Sequence, residues 1–100
     1  MVKVLFSYDM VQGREEDCQR YVMQTLAPGL ARLGLRISDA WYTLWGVGTP
    51  QILGGGVLED EEDAAHLLQS SEWEKLMDGL EPFVENLNIR VVNADSRFQF

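Results

Sequence analysis

Hydrophobic residues alternate at the start of the chain. Val2, Val4, Phe6 and Tyr8 fall on one parity of Val2–Asp9, a period of two that predicts a first strand with one buried face. Leu5 interrupts the otherwise polar opposite parity, so that face is not expected to be fully wet. Beyond Gly13 the period lengthens. Cys18, Tyr21, Val22, Leu26, Leu30 and Leu33 form one apolar stripe, which predicts a helix. Glu15, Glu16 and Asp17 in its first turn complement the helix dipole. Pro28-Gly29 is expected to kink the helix or split it in two, and Gly34 to stop it.

Leu35 to Trp45 returns to strand composition. Leu35, Ile37, Trp41 and Trp45 share one parity and Ala40, Tyr42 and Leu44 the other, so both faces are partly apolar. Gly46-Val47-Gly48-Thr49-Pro50 predicts a turn, and Gln51–Glu59 a third strand paired with the second. The glycines Gly54-Gly55-Gly56 are costly inside a strand and point to a bulge or a close backbone approach. Asp60 is placed to cap a helix opening with Glu61, Glu62 and Asp63. Ser71-Glu72-Trp73-Glu74 has capping-box spacing and predicts a second helical segment with Trp73, Leu76, Met77, Leu80 and Val84 inward, ended or bent by Pro82. Leu87, Ile89 and Val91 alternate in a fourth strand, and Arg97-Phe98-Gln99-Phe100 closes the chain as a short alternating tail.

The order β-α-β-β-α-β predicts an α+β, ferredoxin-like single domain over residues 1–100: a four-stranded antiparallel sheet with helices on one face. Apolar residues of both parities in the first two strands imply that the second sheet face is covered as well. A second copy of the chain would cover it by closing two sheets into an α/β barrel.

Composition narrows the function. With 16 acidic residues against 8 Lys and Arg, the net charge of −8 argues against nucleic acid and anionic membrane surfaces. One cysteine, Cys18, cannot form an internal disulfide and fits a reducing, cytoplasmic setting. The acidic run Glu59–Asp63 has no His or Cys at ligand spacing, so no metal is expected.

Candidate chemistry is sparse. His66 and Tyr42 are the candidate catalytic groups. Helical phase nonetheless sets His66 away from the inward stripe of Ala64, Leu67, Leu68 and Ser71. Tyr8, Trp41, Tyr42, Trp45 and Trp73 are candidates to line a cavity for an apolar or aromatic ligand. The same aromatics also suit a plain core or a dimer interface, and the two roles are compatible, since a cavity wall is also core.

Two stretches carry a family likeness. Pro28-Gly29-Leu30-Ala31-Arg32-Leu33-Gly34-Leu35, followed by Ala40-Trp41-Tyr42-Thr43 and Gly46, resembles the NIPSNAP family, as does Ser71-Glu72-Trp73. Glu62-Asp63-Ala64-Ala65-His66-Leu67-Leu68-Gln69-Ser70-Ser71 resembles a helix of the antibiotic-biosynthesis-monooxygenase-like (ABM-like) family. The resemblance implies a homodimeric α/β barrel. For the ABM-like branch it implies cofactor-independent oxidation of aromatic compounds, or haem degradation in members with an Asn on the first strand; Ser7-Tyr8-Asp9 stands there in this chain. No cofactor is therefore expected. Three readings follow: a monooxygenase-type enzyme on a small aromatic or apolar substrate, a non-catalytic binding or sensor module, and a dimerising scaffold.

Overall fold

The computed structural model describes residues 1–42 and 50–93. Strand β1 (Val2–Met10) leads into helix α1 (Glu15–Tyr21), a π turn (Val22–Leu26) and helix α2 (Ala27–Arg32). Strands β2 (Arg36–Tyr42) and β3 (Ile52–Leu58) follow, then helices α3 (Glu61–Leu68) and α4 (Ser71–Leu80), a 3₁₀ turn (Glu81–Phe83) and strand β4 (Val84–Asn93). The strands form one antiparallel sheet in the order β2-β3-β1-β4. This is the ferredoxin-like arrangement that the element order predicts.

β1 is buried at every second residue, Val2 to Met10, as its alternation requires. That face packs on Cys18, Leu26 and Leu30 of the first helical run and on Ala64, Leu67, Trp73 and Leu80 of the second. Cys18, Leu30, Leu35 and Leu80 have no exposed surface at all.

Ahead of Pro28 the helical run is divided into α1 and α2 by the π turn. Pro28 has no N–H to give the carbonyl of Gln24, and its ring would press on that carbonyl in a regular α-helix. The chain instead widens by one turn ahead of the proline, where the Ala27 N–H reaches back to the Val22 carbonyl. The apolar spacing is compatible with this widening. Cys18, Val22, Leu26 and Leu30 recur every four residues, a drift of about 40° per step in an α-helix of 3.6 residues per turn. A slower-winding π turn returns Leu26 and Leu30 to the face of Cys18. Gly34, at φ +96°, then ends α2, with Leu35 donating to the Leu30 carbonyl at 2.9 Å and Gly34 to that of Ala31 at 3.1 Å.

The face assignments of the second strand change. Ile37 pairs with Gly56 and Asp39 with Gly55, so Ser38 is an extra residue that β3 does not match. Its hydroxyl donates to the Gly55 carbonyl at 3.2 Å. The bulge therefore lies in β2, opposite the glycines rather than within them, and brings Ile37 onto one face with Ala40 and Tyr42. Gly56 answers to the other expectation, close approach: a Cβ there would lie 2.5 Å from the Arg36 carbonyl oxygen.

Two helix starts are set by side chains. Asp60 accepts from the Asp63 N–H at 2.9 Å, as its position predicts. The second cap is Ser70, one residue earlier than the spacing of Ser71 suggests; its Oγ accepts from the Trp73 N–H at 3.2 Å. Val84 belongs to β4, paired with Met10, not to the stripe of α4. The turn at 46–49 and the tail 97–100 lie outside the described residues, as does the strand prolongation to Trp45.

Candidate functional site

Small residues leave a gap between the sheet and the first helical run. Gly54 of β3 faces Phe6 on one side and Ala40 on the other in the register of the sheet. Ala27 stands over them from the helix, immediately after the π turn. Around this trio Phe6 and Tyr8 of β1, Ile37 and Ile52 of the neighbouring strands, and Val22, Leu26 and Leu30 of the helical run complete a partly open cavity of about 80 Å³. The π turn and the β2 bulge both serve it. The first turns Leu26 and Leu30 toward the sheet, and the second brings Ile37 to the helical side.

The accessible wall of the cavity is wholly apolar, Tyr8 contributing ring carbon rather than its hydroxyl. Burial, with a smaller contribution from the nearby Cys18 thiol, pushes the Tyr8 hydroxyl up to about 12. It is thus a neutral phenol across the physiological range and a standing proton donor. Its oxygen meets no hydrogen-bond partner among the described residues, and it is not sealed from solvent. Cys18, fully buried and raised by the same desolvation, is an inert thiol behind it.

A polar chain clamps this end of the sheet across all four strands. Gln51 Nε2 donates to the Tyr42 hydroxyl at 3.2 Å, the Gln51 N–H donates to Asp9 Oδ1 at 2.8 Å, and Met10 N–H donates to Gln51 Oε1 at 2.8 Å. Asn86 Nδ2 donates to Asp9 Oδ2 at 3.0 Å. Asn86 sits at φ +56°, where β4 carries an extra residue against β1. The Asn86 amide and the Gln51 N–H hold the Asp9 carboxyl below its usual value. Both oxygens of Asp9 are engaged in fixing strand ends, next to Tyr8 and Ile52 of the cavity wall.

The other candidate residues are scattered. His66 projects from α3 with 77% of its side chain exposed, 3.7 Å from Glu62. It borders a shallow groove of about 490 Å³ with Leu33, Gly34, Leu58, Glu59, Asp63, Leu67 and Ser70, away from the apolar cavity. Tyr42 is half-exposed at the sheet end and acts as the acceptor of Gln51. Trp73 is buried with its ring centroid 5.9 Å from that of Phe6, so it backs one cavity wall without lining the space. Trp41 pairs with Leu53 through its backbone; its side chain and all of Trp45 lie outside the described residues. Of the candidates, Tyr8 alone is described in the cavity wall. The remaining wall residues were missed because aliphatic and small side chains carry no chemical signature. Gly54 within its glycine run was the one signal pointing there.

Among the described residues no cluster of His, Cys, Asp or Glu suits a metal ion, and no helix is long and apolar enough to cross a membrane. No family model matches the sequence, and no curated protein matches it. Solved structures do match in fold. An uncharacterised NIPSNAP domain protein from Burkholderia xenovorans superposes with a TM-score of 0.72 at 12% identity over 96% of each chain. A protein proposed to be an antibiotic biosynthesis monooxygenase, from Deinococcus radiodurans, superposes at 0.73 and 14% identity over 95% of this chain and 93% of its own. A dimeric protein of unknown function and ferredoxin-like fold from Bacteroides fragilis gives 0.61 at 13% identity over 92% and 94%. The chain thus shares the fold of the NIPSNAP-like and ABM-like proteins.

Proposed function

We propose that this chain, with the fold of the NIPSNAP-like and ABM-like proteins, is a homodimeric module that binds a small apolar or aromatic molecule between its sheet and its first helical run. The observation that carries this reading is the partly open, wholly apolar cavity between the sheet and the first helical run. A concave space with a predominantly apolar wall is the usual setting of a small-molecule site. No His, Cys, Asp, Glu or Lys is among its described lining residues, and the two candidate catalytic groups, His66 and Tyr42, stand elsewhere. That favours binding over catalysis.

The homodimer rests on a separate observation. On the sheet face away from the helices Leu53 is 39% exposed, with Leu5, Val57 and Val92 partly so beside it. A second copy laid on this face would cover them. The neighbour of the same fold from Bacteroides fragilis is described as dimeric, which supports dimerisation without specifying the face.

A second reading is an enzyme of the monooxygenase type, favoured by the likeness to the Deinococcus radiodurans protein. Aerobic incubation with a panel of small aromatics separates the two. Ligand-dependent thermal stabilisation without any oxidised product supports the binding module; an oxidised product establishes the enzyme. Neither stabilisation nor product removes both. Light scattering at micromolar concentration is expected to give a dimer, and a monomer would overturn the assembly.

A further inference from the structure

We infer that the open groove between α1 and the 3₁₀ turn is a second binding site, which takes an oxyanion (a phosphate or a carboxylate) carried on a flat apolar body, with Arg14 and Arg20 as its receptors. The groove is separate from the apolar cavity, and the inference does not depend on the ligand proposed there. Its volume is about 340 Å³, within the range of small-molecule sites. It lies along the π turn, which serves both spaces: Val22 and Leu26 line the cavity, Gln24 and Thr25 the groove. Such turns recur at functional sites.

Charge decides the polar half of the ligand. The chain carries 16 acidic residues against 8 Lys and Arg, yet in this groove two arginines meet one acid, Asp17, among the described residues. Asp17 holds the two together. Its Oδ2 accepts from Arg14 Nη2 at 3.5 Å and its Oδ1 from Arg20 Nη1 at 3.3 Å. Arg14 is also laid over the Phe83 ring, 4.6 Å from the centroid. A guanidinium stacked by its face keeps its N–H groups in the plane of the fork, at the free edge. Each arginine thus engages Asp17 through one nitrogen and retains further donors without a partner among the described residues. The side chains of Gln24 and Thr25 likewise have no hydrogen-bond partner among the described residues. The paired oxygens of a carboxylate or phosphate match such forks, whereas an ammonium is repelled by them.

Two rings decide the apolar half. Tyr21 and Phe83 are partly buried in the groove wall with their centroids 5.9 Å apart. The Tyr21 hydroxyl donates to the Leu76 carbonyl at 2.6 Å, so this residue offers the groove its ring. An aryl phosphate or aryl carboxylate sets its oxygens against the arginines and its ring beside these two.

NMR and calorimetric titrations of the full chain with phenyl phosphate, inorganic phosphate and benzylamine, at one fixed salt concentration, test this. Phenyl phosphate is expected to shift the signals of Arg14, Arg20, Gln24 and Thr25. It should bind roughly 2- to 10-fold more tightly than inorganic phosphate, the range of one aromatic contact. Benzylamine is expected not to bind in the groove. Arg20, with 60% of its side chain exposed, can be changed without a core contact being lost. Arg20→Gln should weaken phenyl phosphate roughly 2- to 5-fold, the range of one exposed charge pair, with a native melting transition. Asp17→Asn should tighten it by up to about 5-fold, because the anion no longer competes with a carboxylate for both arginines. Absence of phenyl phosphate binding, or binding that Arg20→Gln leaves unchanged, overturns the site. Weaker binding by Asp17→Asn, or binding of benzylamine in the groove, overturns the charge argument. Inorganic phosphate binding as tightly as phenyl phosphate overturns the apolar half of the ligand.

Discussion

Two glycines two residues apart in one strand should respond to the same substitution with opposite sign. At Gly54 the backbone is not left-handed, so alanine adopts it without strain and removes freedom from the unfolded chain, worth about 0.4–1 kcal/mol. Its methyl enters an apolar gap, adding up to about 0.8 kcal/mol for one carbon taken from water. The contact with the Asp39 carbonyl oxygen at 3.4 Å takes little back. Gly54→Ala is therefore expected to stabilise by about 1 kcal/mol, a rise of roughly 4–8 °C in Tm for a chain of this size. At Gly56 the same methyl would stand 2.5 Å from the Arg36 carbonyl oxygen and 2.7 Å from Leu35 Cδ1. Leu35 is fully buried and the carbonyl is backbone, so neither yields easily. Overpacking of this kind costs about 1–3 kcal/mol, which outweighs the entropic gain. Urea denaturation at a single fixed protein concentration reads both variants against the native chain. Shifts of the same sign, or a destabilised Gly54→Ala, would refute the placement of the cavity beside β3.

Leu30→Ala removes a fully buried side chain shared by the core and the cavity wall, and should cost about 2–5 kcal/mol by equilibrium unfolding while widening the space. Gly79→Ala would drive a methyl into the Tyr21 phenol, which donates to the Leu76 carbonyl at 2.6 Å. A loss of about 1–3 kcal/mol is expected there, against a near-neutral result if Tyr21 swings free. Asp9 titrates below its usual value, so its hydrogen bonds stabilise the fold above a pH of about 4 and are lost as pH falls through the lower folded-state value. Asp9→Asn should flatten the acid limb of stability against pH, and an unchanged limb would deny Asp9 that role. Tyr8, raised to about 12, contributes below a pH of about 10 and loses that contribution as pH rises from there through 12. Phenolate absorbance should show a late-titrating step that Tyr8→Phe removes.

Where side-chain period and burial coincide, the fold was legible in the sequence. The alternation Val2–Tyr8 read directly as β1, and Asp60 read directly as a cap. The four-residue recurrence of Cys18, Val22, Leu26 and Leu30 held the π turn in plain view, but an ordinary helical stripe absorbs so small a drift until Pro28 is placed in three dimensions. The β2 bulge was not legible. Ser38 is an ordinary strand residue, and only the register against Gly55 and Gly56 shows that it shifts every later parity. The cavity was legible least of all. It is made by what Ala27, Ala40 and Gly54 lack, and absence of side-chain volume has no motif. His66 drew attention through its chemistry, although its helical phase already turned it outward.

Methyl-selective NMR of the native chain during a benzaldehyde titration gives the most direct test of the cavity as the binding site. Binding there predicts shifts concentrated on Val22, Leu26, Leu30, Ile37 and Ile52, the methyl-bearing residues of the apolar wall. Shifts confined instead to Leu33, Leu58 and Leu67, around the groove beside His66, would contradict it.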